Sequence, residues 1–299
     1  MRLGRKDARD GMEPEKRSRG AGGGRRREIL ALVIALVVGM IAFDPGVQVA
    51  FATTPAFGTE CSNSTAISAT VSCTISASAS DVMIVFVTTS SGTPGTPSIS
   101  GGGITFASRN TGSVTGATAA EFWGGVSTTI SSQTVSDTVS GGTTPNIVMV
   151  VFTVTGADTT APFDPSLGTP PVAAHGTIGT PTVSFATTGT GDFLIGLVGM
   201  AATVTQTAGT SCTTSCTLIA TASTALQSGA AEYATTTTPT TQTLDFGSTV
   251  TAAWVMLGDA LVTTGGVPDL PFGVLPLLLL VPVAYLLMKA RVQAPRSRT

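Results

Sequence analysis

The chain repeats itself. "SDVMIVFVTT" begins at Ser80 and "GDFLIGLVGM" at Gly191, which puts Asp81 and Asp192 111 residues apart. "AAEFW" from Ala119 and "AAEYA" from Ala230 keep that offset. Gln133-Thr134-Val135 then pairs with Gln242-Thr243-Leu244 at 109, and Val148-Met149-Val150 with Val255-Met256-Leu257 at 107. Loops that shorten between two copies of one unit produce such a steady drift, whereas chance matches would scatter. Any fold for this chain has to hold two copies of a unit of about five strands, over residues 61–160 and 172–262.

The unit reads as strands. "AISATVSCTIS", "DVMIVFVTT", "NIVMVVFTVTG", "DFLIGLVGM" and "AAWVMLGDALV" are strand-length, β-branched and separated by Gly, Pro, Ser and Thr clusters, and nothing between them has a helical period. The expected class is all-β, a jelly-roll-like sandwich built from two internal repeats. Two arrangements fit: two Ig-sized beads, or one larger sandwich whose strands pair across the halves. The connection "ADTTAPFDPSLGTPPVAAHGT", residues 157–177, favours the single sandwich, because it is not a polar linker and its Phe163 reads as a packed residue. The region resembles repetitive prokaryotic β-sandwich surface modules, with a Gly-Asp-apolar strand, an alternating strand bearing an aromatic pair, and a late Gly/Asp corner seen here as "VTGAD" and "MLGDA". That resemblance implies a surface location and no particular activity.

Charge is partitioned. Charged residues are 11% of the chain, and ten of the fifteen Lys and Arg lie between Arg2 and Arg27. Residues 53–266 hold one base, Arg109, against ten carboxylates, a net of nine negative charges that excludes nucleic acid as a partner. The basic N-terminus precedes "ILALVIALVVGMIAF", residues 29–43, and then Ala50-Phe51-Ala52. A positive n-region, a short apolar core and an A-x-A site predict an N-terminal signal helix over residues 1–52, cut by signal peptidase after Ala52. An uncleaved signal anchor is the other reading. Residues 53–264 then form the extracellular part.

A second apolar run, residues 270–288, would reach roughly 28 Å as a helix and is followed by Lys289, Arg291, Arg296 and Arg298. The expectation for residues 265–299 is a C-terminal transmembrane helix with a basic cytoplasmic tail. Val267-Pro268-Asp269-Leu270-Pro271-Phe272 before this run resembles archaeal C-terminal sorting signals of the Pro-Glu-Phe-Pro type, with Asp269 in place of Glu and Leu270 in place of Phe. The resemblance implies an archaeosortase-like enzyme as a partner and replacement of the tail by lipid. A plain stop-transfer helix would leave the tail in place.

The four cysteines, Cys61, Cys73, Cys212 and Cys216, all fall in the predicted exported region. There an even count reads as disulfides, and proximity pairs Cys61 with Cys73 and Cys212 with Cys216. A zinc site is not expected, since the single histidine, His175, has no cysteine near it in sequence. Asn63-Ser64-Thr65 is an N-glycosylation sequon at Asn63. Thr235 to Thr243 read as an O-glycosylated tract or simply as a Thr-rich strand.

No catalytic, metal or cofactor residues are assigned. His175 lies in a Gly/Pro-flanked connection with no nucleophile elbow. Glu121 and Glu232 occupy equivalent places in the two repeats, expected on exposed strand positions beside Phe122 and Tyr233. Asp81 and Asp192 read as turn-capping carboxylates ahead of equivalent strands. Trp123 and Trp254 read as core rather than as glycan platforms. The predicted function is a non-enzymatic structural or adhesive role at the cell surface, anchored to the outer face of the membrane. Alternatives are an envelope glycan-binding module and, last, a secreted hydrolase.

Overall fold

The computed structural model describes residues 53–90, 95–141, 145–168 and 171–262. The predicted signal helix with its Ala50/Ala52 cleavage site, the Pro268–Phe272 motif and the C-terminal helix lie outside the described residues. The described residues are all-β. The first repeat contains β1 (Ala56–Thr65), β2 (Thr70–Ala77), β3 (Val82–Ser90), β4 (Thr96–Gly101), β5 (Ala107–Val114), β6 (Ala117–Gly125), β7 (Ile130–Ser140) and β8 (Asn146–Thr155). The second contains β9 (Val172–Gly176), β10 (Thr182–Ala186), β11 (Phe193–Met200), β12 (Thr217–Ser223), β13 (Ser228–Thr235), β14 (Thr241–Asp245) and β15 (Trp254–Leu261). A single 3-10 turn, Pro165–Leu167, interrupts the connection between them.

Each repeat closes its own sheets. In the first, a five-stranded antiparallel sheet runs β1-β8-β3-β6-β5 and a three-stranded sheet runs β2-β7-β4. The second repeats the order as β9-β15-β11-β13-β12, with β10-β14 as its small sheet. No named strand corresponds to β4 there. The expected pairing of strands across the halves does not occur among the described strands, because every ladder joins strands of one repeat. The halves join face to face instead. Ile84, Phe86, Val150 and Phe152 of one large sheet share a buried core with Ile195, Leu197, Val255 and Leu257 of the other. Each large sheet packs its second face on its own small sheet, through Val85, Met149 and Val135 in the first repeat and Val198, Met256 and Leu244 in the second. The result is a four-layered β-sandwich.

Layer position explains the sequence pattern. β3, β8, β11 and β15 are covered on both faces and read as continuous apolar runs. β2 and β7 have one face in water and alternate. Three glycines let the halves approach: a Cβ on Gly229 would meet Thr88 Cγ2 at 2.8 Å, one on Gly199 would meet Thr88 Cβ at 2.7 Å, and one on Gly112 would meet Val255 Cγ1 at 2.8 Å. Next to the first of these, the buried Gln227 Nε2 donates to Thr88 Oγ1 across the seam at 2.6 Å.

Both ends of the described chain emerge together. Thr53 lies against Gly156. Val262 N donates to Pro162 O at 2.7 Å and its carbonyl accepts from Asp158 N at 3.4 Å. The turns after β1, β9 and β12 lie at the opposite end of the strands.

Candidate functional site

Two clusters gather the chain's chemistry, one between the halves and one inside the second repeat. Between the halves, Arg109 on β5 forms a two-pronged ion pair with Asp259 on β15, Nε to Oδ2 at 2.6 Å and Nη2 to Oδ1 at 3.0 Å. The guanidinium also donates to Gly168 O and lies 4.0 Å over the Phe163 ring, which meets Trp123 edge-on at 5.5 Å. Phe163 is therefore packed, as its setting in the connection predicted. Glu121 faces the same seam, wholly buried, and neither carboxylate oxygen has a hydrogen-bond partner. Burial, with the Asp259 charge beside it, pushes its pKa well above the carboxylate range despite Arg109. Burial also raises Asp259, against the pull of Arg109.

In the second repeat, residues 201–216 stand where the first repeat has β4. Instead of a strand they form a loop along β14. Thr213 N donates to Thr243 O at 3.0 Å, and Thr243 N donates to Thr213 Oγ1 at 2.8 Å. Gly209 N donates to Glu232 Oε2 at 3.0 Å, and Ser211 N to Asp245 Oδ1 at 3.0 Å. Glu232 is wholly buried and its Oε1 has no partner. Burial, partly offset by the Gly209 amide, raises its pKa to about 8. The half-buried Cys212–Cys216 disulfide lies over it, and one ligand atom from each of Cys212, Cys216 and Glu232 falls within 4.8 Å of the others. Cys212 Sγ is also 3.3 Å from Asp245 Oδ1. A cleft of about 240 Å³ opens beside Asp245, lined by Thr180, Thr182, Thr210, Ser211 and Gly247.

The structure corrects the reading of the two glutamates. Neither is exposed, and they are not equivalent. β3 and β11 hold equivalent places in their sheets at the 111-residue offset, but Phe86 pairs with Glu121 whereas Leu197 pairs with Ala231. The second hairpin is slipped by one residue, which turns every side chain of β13 to the other face. Glu121 points into the seam and Glu232 into the second repeat's own core, so they cannot flank one bond as a glycosidase pair. The aromatics are reversed too. Phe122 packs on the first repeat's own core, while Tyr233 faces the seam, stacked on Phe57 at 5.6 Å and Phe193 at 4.9 Å. "VTGAD" and "MLGDA" also differ in place: Asp158 caps the turn after β8 through Thr160 and Ala161, and Asp259 lies within β15.

Asp81 and Asp192 do the same work in both repeats, accepting from the amide three residues earlier, Ser78 and Gly189. Burial raises Asp81; burial and the nearby Asp164 raise Asp192 to about 6. Asp137 on β7, which sequence reasoning passed over, is buried with Oδ2 unpartnered, and burial raises it to about 7 despite the Ser98 and Thr138 amides. Its alternating strand held the signal: an acid at an inward position. His175 is exposed on the edge strand β9, opposite Val255, and no carboxylate or hydroxyl hydrogen-bonds it among the described residues. Trp254 is buried and donates to Ile178 O at 3.4 Å; Trp123 is half-buried, so neither is an open platform. Cys61–Cys73 joins β1 to β2, and Asn63 is exposed on β1 with its amide donating to Ser72 O. No protein-family model, no curated protein and no solved structure matches this chain.

Proposed function

We propose that this is an exported, membrane-tethered cell-surface protein with a structural or adhesive role. In this reading a jelly-roll-like double sandwich over residues 53–264 is held outside the membrane through its C-terminal segment. The observation that carries it is that Thr53 and Val262, the two ends of the described residues, lie at one end of the strands, and that in the sequence an apolar run flanked by basic residues precedes the one and follows the other. A tether at that end presents the opposite one. There Ile67, Ile178 and Leu226 are the exposed large apolar side chains, in turns (66–69, 177–181 and 224–227) that carry no charge. Two disulfides suit an oxidising exterior. Signal peptidase and an archaeosortase-like enzyme are the processing partners, envelope glycans or other surface proteins the contacts, and Asn63 the glycosylated residue.

Protease shaving of intact cells with mass spectrometry tests the location. The expected mature N-terminus is Thr53, and failure to release peptides of residues 53–262 from intact cells overturns the exported reading. Recovery of "VQAPRSRT" in mature surface material would rule out tail removal and leave the stop-transfer anchor. Deleting the gene should change cell–cell or surface attachment or envelope integrity. Turnover of chromogenic esters or glycosides that is lost in His175→Ala would make the protein a hydrolase instead. Glycan binding lost on changing Trp123 would make it a glycan-binding module.

A further inference from the structure

We propose that Cys212, Cys216, Glu232 and Asp245 form a redox-gated site for a divalent ion of the zinc class, closed while the two cysteines are joined and open once they are reduced. The inference does not depend on where the protein resides. The two repeats differ in chemistry at equivalent places. By strand register, Glu232 occupies the place of Phe122, since Gly196 and Val85 are their equivalent partners. Asp245, following Leu244, occupies the place of Ser136, which follows Val135. The cysteine-bearing loop occupies the place of β4. One fold thus serves twice, and at three separate places the second copy exchanges an aromatic, a hydroxyl and a plain strand for metal-binding chemistry. The cysteine loop and Glu232 meet, with ligand atoms within 4.8 Å of one another, and Asp245 stands against Cys212.

The geometry fits the ion. A tetrahedral zinc with Zn–S of about 2.3 Å and Zn–O of about 2.0 Å sets sulfur–oxygen edges of about 3.5 Å. Cys212 Sγ already lies 3.3 Å from Asp245 Oδ1, and Cys212, Cys216 and Glu232 each offer an atom within 4.8 Å of the others. Glu232 Oε1 is buried with no partner, while Oε2 is held by the Gly209 amide and Asp245 Oδ1 by Ser211. The carboxylates are therefore oriented by backbone amides, as outer-shell donors orient metal ligands. Two thiolates with two carboxylates select zinc, cobalt or cadmium over calcium and magnesium. Asp245 itself lines the cleft that opens beside it.

The gate is thiol exchange. A dithiol donor breaks the Cys212–Cys216 bond, passing two electrons and two protons to the sulfurs, and itself becomes a disulfide. The two sulfurs then separate to about 3.8 Å around the ion, and their protons leave to solvent as it binds. Exchange with a disulfide, which takes the two electrons and leaves as a dithiol, re-forms the Cys212–Cys216 bond and expels the metal.

Cobalt titration of the full chain in detergent, before and after reduction with a phosphine, tests the assignment. The reduced protein should show near-ultraviolet thiolate-to-cobalt absorption and tetrahedral visible bands that zinc abolishes; the oxidised protein should show neither. Glu232→Gln and Asp245→Asn should each weaken cobalt binding tenfold or more while the oxidised variants keep the near-ultraviolet circular dichroism of the parent. In the unaltered chain, zinc should protect Cys212 and Cys216 from alkylation but leave Cys61 and Cys73 reactive. Absence of the thiolate band in the reduced protein, its persistence in Cys212→Ser/Cys216→Ser, unchanged affinity in both carboxylate variants, or equal protection of all four cysteines each overturns the proposal.

Discussion

Arg109 is the only lysine or arginine between residues 53 and 262, and it is spent on a carboxylate that has no water to turn to. Taking away one partner of a buried pair leaves the other charge uncompensated, at a cost of about 3–5 kcal/mol. Arg109→Met should therefore destabilise the fold by about that amount in denaturant unfolding. The double variant Arg109→Met/Asp259→Leu should recover most of the loss, because an apolar pair of similar volume is often as stable as the buried ions it replaces. If the double variant is as unstable as the single, the guanidinium's packing on Phe163 and its bond to Gly168 matter more than its charge. That Arg109 would be buried was not legible in the sequence, where a lone base in a Thr/Ser-rich stretch reads as solvated. Its partner Asp259 is 150 residues away and in the other repeat.

At the scale of the element, the turn before each repeat's central strand shows how one backbone is satisfied by two sequences. Ser80 has φ 73° and Gly191, at the equivalent position, φ 82°. Both precede the capping aspartate, and the amides of both are tied to the residue just past the neighbouring strand, Ser80 to Val126 O after β6 and Gly191 to Thr236 O after β13. A side chain in this left-handed region costs about 1–2 kcal/mol, and glycine gives back part of that through its freer unfolded state. Ser80→Gly should thus raise stability by up to about 1 kcal/mol and Gly191→Ala should lower it. A loss of stability in Ser80→Gly would show that the turn is held for another reason. The aspartates that follow were readable because a carboxylate before an apolar run is local turn chemistry. The face of the "AAE" strands was not: similarity of letters survives a one-residue slip, while the pleat reverses with it. So the two five-residue motifs that announced the repeat are the ones that put Glu121 in the seam and Glu232 over the Cys212–Cys216 loop.

For the whole molecule, the consequence of so many buried acids and so few bases is a stability that depends on pH in the reverse of the usual sense. Burial raises Glu121, Asp137 (to about 7), Glu232 (to about 8) and Asp192 (to about 6). The unfolded chain releases these protons near pH 4, while the folded chain keeps those of Asp192, Asp137 and Glu232 until pH 6–8 and that of Glu121 well above the ordinary carboxylate range. Across that window the folded state binds more protons than the unfolded one, so the free energy of unfolding falls as pH rises. Two groups act the other way. Hydrogen bonds from Thr160 and Ala161 lower Asp158. For Asp164, burial pushes upward but is outweighed by hydrogen bonds from Ser166 and Thr188. Their contribution is present above their unfolded pKa and is lost as pH falls below about 4, which places the optimum near pH 4–5. Thermal unfolding at constant ionic strength should show Tm falling by roughly 10 °C between pH 4.5 and 8.5, a few kcal/mol spread over a domain of this size. Asp137→Asn, which leaves the Ser98 amide an oxygen to bond and removes the titrating proton, should flatten that slope between pH 4 and 7 without changing it above. A Tm that rises with pH over this range would mean that the buried carboxylates are ionised in the fold and held by counter-charges.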